Sequence, residues 1–482
     1  MGEMRSKLRR FGGRIFVVVA SLPLFAGAVA GELPLRWSAE TGENVRWSAA
    51  VGSVSYAGPV VAGGKVFVGT NNARPRDPTK SADLGVLMVF QAADGMFLWQ
   101  ATHQKLSEEL DFPMEGLCST PTVVDDRVYY VSNRGELMCV DSEGFIDDEN
   151  DGPFVGEPRQ GEEDADVVWR LDMREELGVV PHFMSASTPA VVGDLVFVVT
   201  SNGIDDSGRV PAPEAASFIA VDRESGELRW KDASPGMGLV DGQWASPTAI
   251  GGGALRSQVL FPGGDGWLYS FDPSGMLLWK FDGNAAPGRE APVGRDRHAL
   301  VASAVVNEGR AYFPMGRDPE QGSAPGSLWS LDLPSGEAPS GPEIRPEVAW
   351  HFGGESFGRA IATVAVEEGL VYAADLDGFV VALDAASGEL YWRYDALASI
   401  WASPLVAEGK VYVADTDGEV TVLRAGRTLA VLSEIVMDAP IFRPLVAEGE
   451  SLYLLTSEVL YALAIPDSGR DSPPQSISLV GD

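Results

Sequence analysis

The sequence predicts an all-β fold, an eight-bladed β-propeller of four-stranded antiparallel blades whose ring is closed by an N-terminal strand in the last blade. Three observations predict it. A hairpin phrase ending in tryptophan recurs along the chain, and a Ser-x-Pro strand phrase recurs between its copies. The final unit lacks an outer strand, which the N-terminal region can supply.

The hairpin phrase is clearest in Val221-Asp-Arg-Glu-Ser-Gly-Glu-Leu-Arg-Trp230 and Leu383-Asp-Ala-Ala-Ser-Gly-Glu-Leu-Tyr-Trp392, with variants ending at Trp99 and Trp279. Each reads as a strand, a tight turn whose glycine takes positive φ, and a returning strand with a large ring on its buried face. The second phrase, Ser403-Pro404-Leu-Val-Ala-Glu-Gly-Lys-Val-Tyr-Val413, alternates with period two around a glycine turn. It returns at Ser119-Thr-Pro121, Ser187-Thr-Pro189 and Ser246-Pro247, and more loosely at Ser303-Ala304, Thr363-Val364 and Arg443-Pro444.

The anchors at 59, 121, 189, 247, 304, 364, 404 and 444 are separated by 62, 68, 58, 57, 60, 40 and 40 residues. A four-stranded blade needs about 40–50 residues, so the longer intervals are blades with loop insertions. After Pro444 three strands follow before the sequence turns polar at Pro466. Asn44-Val45-Arg46-Trp47 copies the outer strand of the other units and is expected to complete the last blade. The Asp-x-x-(Ser/Asp)-Gly-x-x-x-Trp phrases and Ser-x-Pro strands resemble the tryptophan-docking repeats of the PQQ-type propeller superfamily over roughly residues 44–465. That resemblance implies the fold. It leaves function open, because the superfamily includes quinoprotein alcohol dehydrogenases and the non-enzymatic propeller lipoprotein of outer-membrane assembly. Of these, the chain resembles the non-enzymatic propeller more.

Thirty-six basic against 69 acidic residues give a formal net charge of −33, a field that repels phosphate backbones and excludes nucleic acid as an expected partner. Arg5, Lys7, Arg9, Arg10 and Arg14 precede an apolar run from Ile15 to Ala30 that ends in Ala28-Val29-Ala30, the pattern of a secretory signal peptide over 1–30. A membrane anchor is the rival reading, but the run is short for a bilayer span and contains Pro23. No cysteine follows the run, so the expected product is periplasmic or secreted, free of a lipid anchor or integral membrane segment, and monomeric. The propeller domain is expected over 31–466, followed by an unstructured tail over 467–482 rich in Ser, Pro, Asp and Gly.

If the strands of each blade run A to D from the channel outward, B–C loops and D–A connections share one face. The long B–C loops Asn71–Gly85, Asn202–Ser217 and Gly316–Ser327 lie there, with the long D–A connections Thr102–Leu117, Met173–Ala186, Lys231–Gln243 and Asp282–His298. The loop-rich face of blades 1–5 is therefore the expected binding face, and the turns opposite are short except in blade 2. Candidate ligand-binding residues near the ends of these loops are His182, Gln243, Trp244, Arg295, Arg297, His298, Arg359, Trp401, Arg134 and Arg317, cationic and aromatic groups suited to an anionic or planar ligand. The bland alternative is that the arginines pair with local acids and the rings plug the channel. In the expanded blade 2 turn, Asp147, Glu149 and Asp151 before Gly152 form a partial calcium-loop pattern, against which stands a merely acidic loop, since Pro158 occupies the twelfth position.

The resemblance implies that a PQQ dehydrogenase would carry adjacent cysteines, a calcium site and a catalytic Asp. Cys118 and Cys139 are the only cysteines, and their expected strands lie two spacings apart, about 9.5 Å, beyond disulfide reach. No Cys-x-x-Cys-His haem motif and no Gly-x-Ser-x-Gly elbow occurs. The expected function is a non-catalytic propeller that binds an envelope protein or peptide. The alternatives are a PQQ-dependent oxidoreductase with an atypical site and a carbohydrate or small-anion binder.

Overall fold

The structure, a computed structural model, describes residues 32–465 apart from 109, 252–254, 289, 318, 320–323, 335–340 and 342–343, together with 475 and 476. The expected signal peptide lies outside the described residues, as does most of the tail. Eight sheets are formed, each ordered A-B-C-D from the axis outward. The inner strands are Val60–Ala62, Thr122–Val124, Ala190–Val192, Thr248–Ile250, Val305–Asn307, Ala365–Glu367, Leu405–Ala407 and Val446–Glu448. Seven begin one residue after an anchor, and the eighth begins two residues after Pro444. All pairings among the four strands A to D of the blades are antiparallel, with a bulge in every C–D pair. The bulge raises the local twist that lets neighbouring blades stack.

The eighth blade closes the ring as the sequence predicts. Val446–Glu448, Ser451–Leu455 and Val459–Leu463 supply its first three strands, and Val45–Ala50 pairs antiparallel with the third, Trp47 standing opposite Ala462. Gln475–Ser476 runs parallel to that strand on its outer side. A short part of the tail expected to be unstructured is thus a fifth strand.

The tryptophans hold blade to blade. Trp99, Trp169, Trp230, Trp350, Trp392 and Trp47 each donate Nε1–H to a main-chain carbonyl of the next blade around the ring, at 2.9 to 3.1 Å. Trp47 and Trp169 lie against Gly95 and Gly226 in the C–D turns of the next blade. Both glycines have positive φ, and a Cβ on either would meet indole at 2.6 Å. Glycine is required twice over there, by backbone conformation and by the ring above it.

Trp279 departs from the pattern and donates to Gln258 within its own blade. Blade 7 has no tryptophan in its outer strand, Val431–Val436. The vacancy at the seam between blades 7 and 8 is filled from the N-terminal segment: Trp37, buried, packs with Leu33, Tyr412, Ile435 and Leu463, and its indole N–H reaches the Met437 sulfur at 3.2 Å. The same end of the chain therefore completes blade 8 and covers its seam with blade 7.

Candidate functional site

The loop sorting holds for the connections counted from the sequence, with one correction. The C–D connection of blade 5, between the strands ending at Asp332 and beginning at Glu347, is also long, so blade 2 is not the sole exception. Short apolar phrases hid where strand C ends, and the outer strand Glu347–Gly358 is the longest of all.

On the axis of the loop-rich face the chain forms a funnel of about 220 Å³, walled by Tyr56, Phe112, Phe183, Trp244, Trp401 and Phe442, with Arg443 at its base. Tyr56 stacks on Trp401 at 6.0 Å, and Phe442 meets both rings at 5.1 and 5.2 Å. Trp244 stacks on the buried His182 at 5.8 Å and donates Nε1–H to the His182 carbonyl. Below the funnel lies a throat of about 50 Å³, where the inner strands begin.

Of the expected ligand-binding residues, Trp244 and Trp401 line this funnel and His182 supports it from behind. The others are not gathered there. Gln243 is fully buried and donates to the Asn202 carbonyl and Ser217 hydroxyl, fixing a loop. Arg297 forks onto Asp282 at 2.6 and 3.2 Å, and exposed Arg295 donates to the Ser207 carbonyl. Arg134 faces a separate cleft between blades 1 and 2, beside Glu136 at 3.5 Å. In the acidic surroundings of this chain such arginines find local partners first. His298 sits near Arg359 and Arg317; burial, then those two charges, push its pKa down to about 4, so it is neutral at pH 7.

Asp147, Glu149 and Asp151 do not converge. Asp147 accepts from the Glu149 amide, as in a turn, while Asp151 binds Arg127 at 3.0 Å. Among the described residues no group of three His, Cys, Asp or Glu could hold a metal ion. Both cysteines are free and buried, as expected from their strand spacing. Burial pushes the Cys139 thiol up to about 12 and Cys118 higher still, so neither is a thiolate at neutral pH.

Sequence reasoning missed Tyr56, Phe112, Phe183, Phe442 and Arg443. Arg443 was nonetheless visible: at the residue before the anchor, where six blades carry Ser or Thr, the eighth carries arginine.

Comparison with known proteins agrees with this architecture. A polyvinylalcohol dehydrogenase of Sphingopyxis is 24% identical over 232 residues, 42% of this chain and 33% of that protein. An outer membrane protein assembly factor BamB of Alkalilimnicola ehrlichii is 36% identical over 114 residues, 23% of this chain and 25% of that protein. The matches thus span about a third and a quarter of these relatives. In fold, BamB from Moraxella catarrhalis superposes with a TM-score of 0.55 at 15% identity, covering 86% of this chain and 98% of that one. Sqt1 of Saccharomyces cerevisiae does so at 0.57 and 9% identity, covering 88% and 99%. The family model described as outer membrane protein assembly factor BamB matches residues 5–144 and 264–431, more than half of the sequence, and the chain belongs to that PQQ-repeat propeller family.

Proposed function

We propose that this chain is an exported, non-catalytic propeller of the cell envelope that binds another envelope protein or peptide across the loop-rich face of blades 1–5. The family match supports the reading, and one observation carries it: aromatic rings from separate connections converge on the axis of that face. Phe112 of the funnel wall and Met114, Met237, Val293 and Leu397, all from D–A connections and so on that face, stay exposed. Exposed apolar groups around an aromatic recess are the surface that a protein partner covers. Among the described residues no helix is long and apolar enough to cross a membrane.

The residues do not fit PQQ held by calcium. The two thiols are buried and not adjacent, Glu115 is the acidic residue among those lining the funnel, and no carboxylate group of three is formed among the described residues. Adding PQQ and calcium to the purified protein is expected to give neither quinone absorbance nor thermal stabilisation. A saturable rise in melting temperature would replace this reading with the oxidoreductase one.

The face is tested in cells by a photo-crosslinking residue at Leu397 and, as control, at Met276 in the C–D turn of blade 4 on the opposite face. A discrete envelope adduct is expected from Leu397 alone. Equal adducts from both positions would remove the choice of face.

A further inference from the structure

The throat beneath the funnel is built around one repeated position. Gly58, Thr120, Thr188, Ser246, Ser303, Thr363, Ser403 and Arg443 stand there in blades 1 to 8, and all line the throat. They form a belt from blade to blade. The Gly58 amide donates to Thr120 Oγ1 at 2.8 Å, Thr188 to Ser246 Oγ at 2.9 Å, Ser246 to Ser303 Oγ at 3.0 Å, and Thr363 to Ser403 Oγ at 2.9 Å.

This belt has a chemical consequence. Each of the four hydroxyl oxygens is taken as an acceptor, and none of the four donates its own proton to a protein acceptor among the described residues. A hydroxyl used in this way still has one O–H to give, and all four residues line the throat. In the eighth blade Arg443 replaces the hydroxyl. It is the single charged residue among those lining the throat, its Nε has no hydrogen-bond partner, and it forms no ion pair among the described residues. Burial pushes its pKa below the usual value, offset in part by Cys118 and Tyr56, yet a guanidinium remains charged at neutral pH. A half-closed throat with one cation and several spare donors, and no acid among its lining residues, is complementary to an anion.

We propose that the throat binds a carboxylate, seated on Arg443 and the hydroxyls of Thr120, Ser246, Ser303 and Ser403, whose apolar or aromatic body lies in the funnel against Tyr56, Trp244, Trp401 and Phe442. The volumes suit that division, about 50 Å³ for the charged group and about 220 Å³ for its body. Both a small aromatic acid and the free C-terminus of a peptide present this chemistry. The inference goes beyond the envelope-partner reading and holds whether or not the outer loops take a protein.

The test is a titration of the purified protein in chloride-free buffer with phenylacetate, phenylacetamide, and a short peptide ending in phenylalanine as free acid or amide, read by tryptophan fluorescence and thermal shift. Saturable quenching by an acid and not by its amide is expected. A response to phenylacetate alone assigns a small acid, and a response to the peptide acid alone assigns a chain terminus. Arg443→Ser restores the residue type of the other blades, so it is expected to fold as the parent and to bind the acid at least about tenfold more weakly. Arg443→Lys retains most of the binding. Equal responses to acid and amide, unchanged affinity in Arg443→Ser, or no saturable response to either acid would overturn the assignment. Failure of the Leu397 crosslink with intact acid binding would instead sink only the envelope-partner reading.

Discussion

Trp37→Ala is expected to lower stability by about 3–5 kcal/mol, the cost of removing a buried aromatic ring and leaving its cavity, although the residue lies outside every repeat. Trp37 is 4% exposed and packs into the only inter-blade cluster that joins blades 7 and 8 with the N-terminal segment among the described residues. Elsewhere a strand D tryptophan covers the neighbouring blade, but Val431–Val436 provides none, so Trp37 substitutes for it across the last seam. Propellers lose their ring when one seam opens, because the closing strand Val45–Ala50 is held to Val459–Leu463 by its ladder and to blade 1 by Trp47. Hydrogen exchange is expected to rise first in those two strands of the variant. Trp267→Ala, a half-exposed ring in strand C of blade 4, is the comparison. A Trp37→Ala midpoint within error of the parent would show that the seam does not depend on this ring.

His103 is expected to make stability depend on acid. It is buried between blades 1 and 2, its Nε2 3.0 Å from the Tyr130 hydroxyl, and burial, then Arg134 and Arg170, push its pKa from 6.5 down to about 4. Glu136 stands 3.9 Å away but does not reverse the shift. The folded state therefore binds fewer protons than the unfolded chain between pH 4 and 6.5. The contribution, about 3 kcal/mol, is fully present above pH 6.5 and is lost as pH falls toward 4. Asp166 and Asp265 act oppositely, since burial raises both to about 6 and favours the folded state on the acid side. Comparing the parent with His103→Gln, which keeps a polar group toward Tyr130, isolates the histidine. The stability difference between them is expected to shrink by about 3 kcal/mol from pH 7 to pH 4. A difference independent of pH would mean that His103 titrates normally in the fold.

Blade number, strand order and ring closure were legible because they rest on local pattern. Period-two alternation, positive-φ glycines and the spacing of Trp and Ser-x-Pro phrases each act within one blade, and the predicted partner of Trp47 follows from counting strands. The candidate site was legible only in part. Trp244 and Trp401 were found because they stand just before the inner strands. Arg134, Arg295 and Arg297 were equally plausible by sequence, yet Arg134 and Arg297 lie beside Glu136 and Asp282 close to them in the chain, and Arg295 donates to a carbonyl of a loop from another blade.

What the sequence by itself determined about this protein is the repeated unit: eight sheets, tryptophans on the buried face of the returning strands, and an N-terminal strand needed to finish the last. Tertiary structure alone decided which side chains meet on the axis. Residues such as Gly58, Thr120, Ser303 and Arg443 are remote in sequence and become neighbours only when the ring closes and brings the same position of every blade to one throat. Local pattern can set how each blade folds, but the chemistry of the channel depends on the sum over blades, where a single arginine among hydroxyls changes the sign of the site.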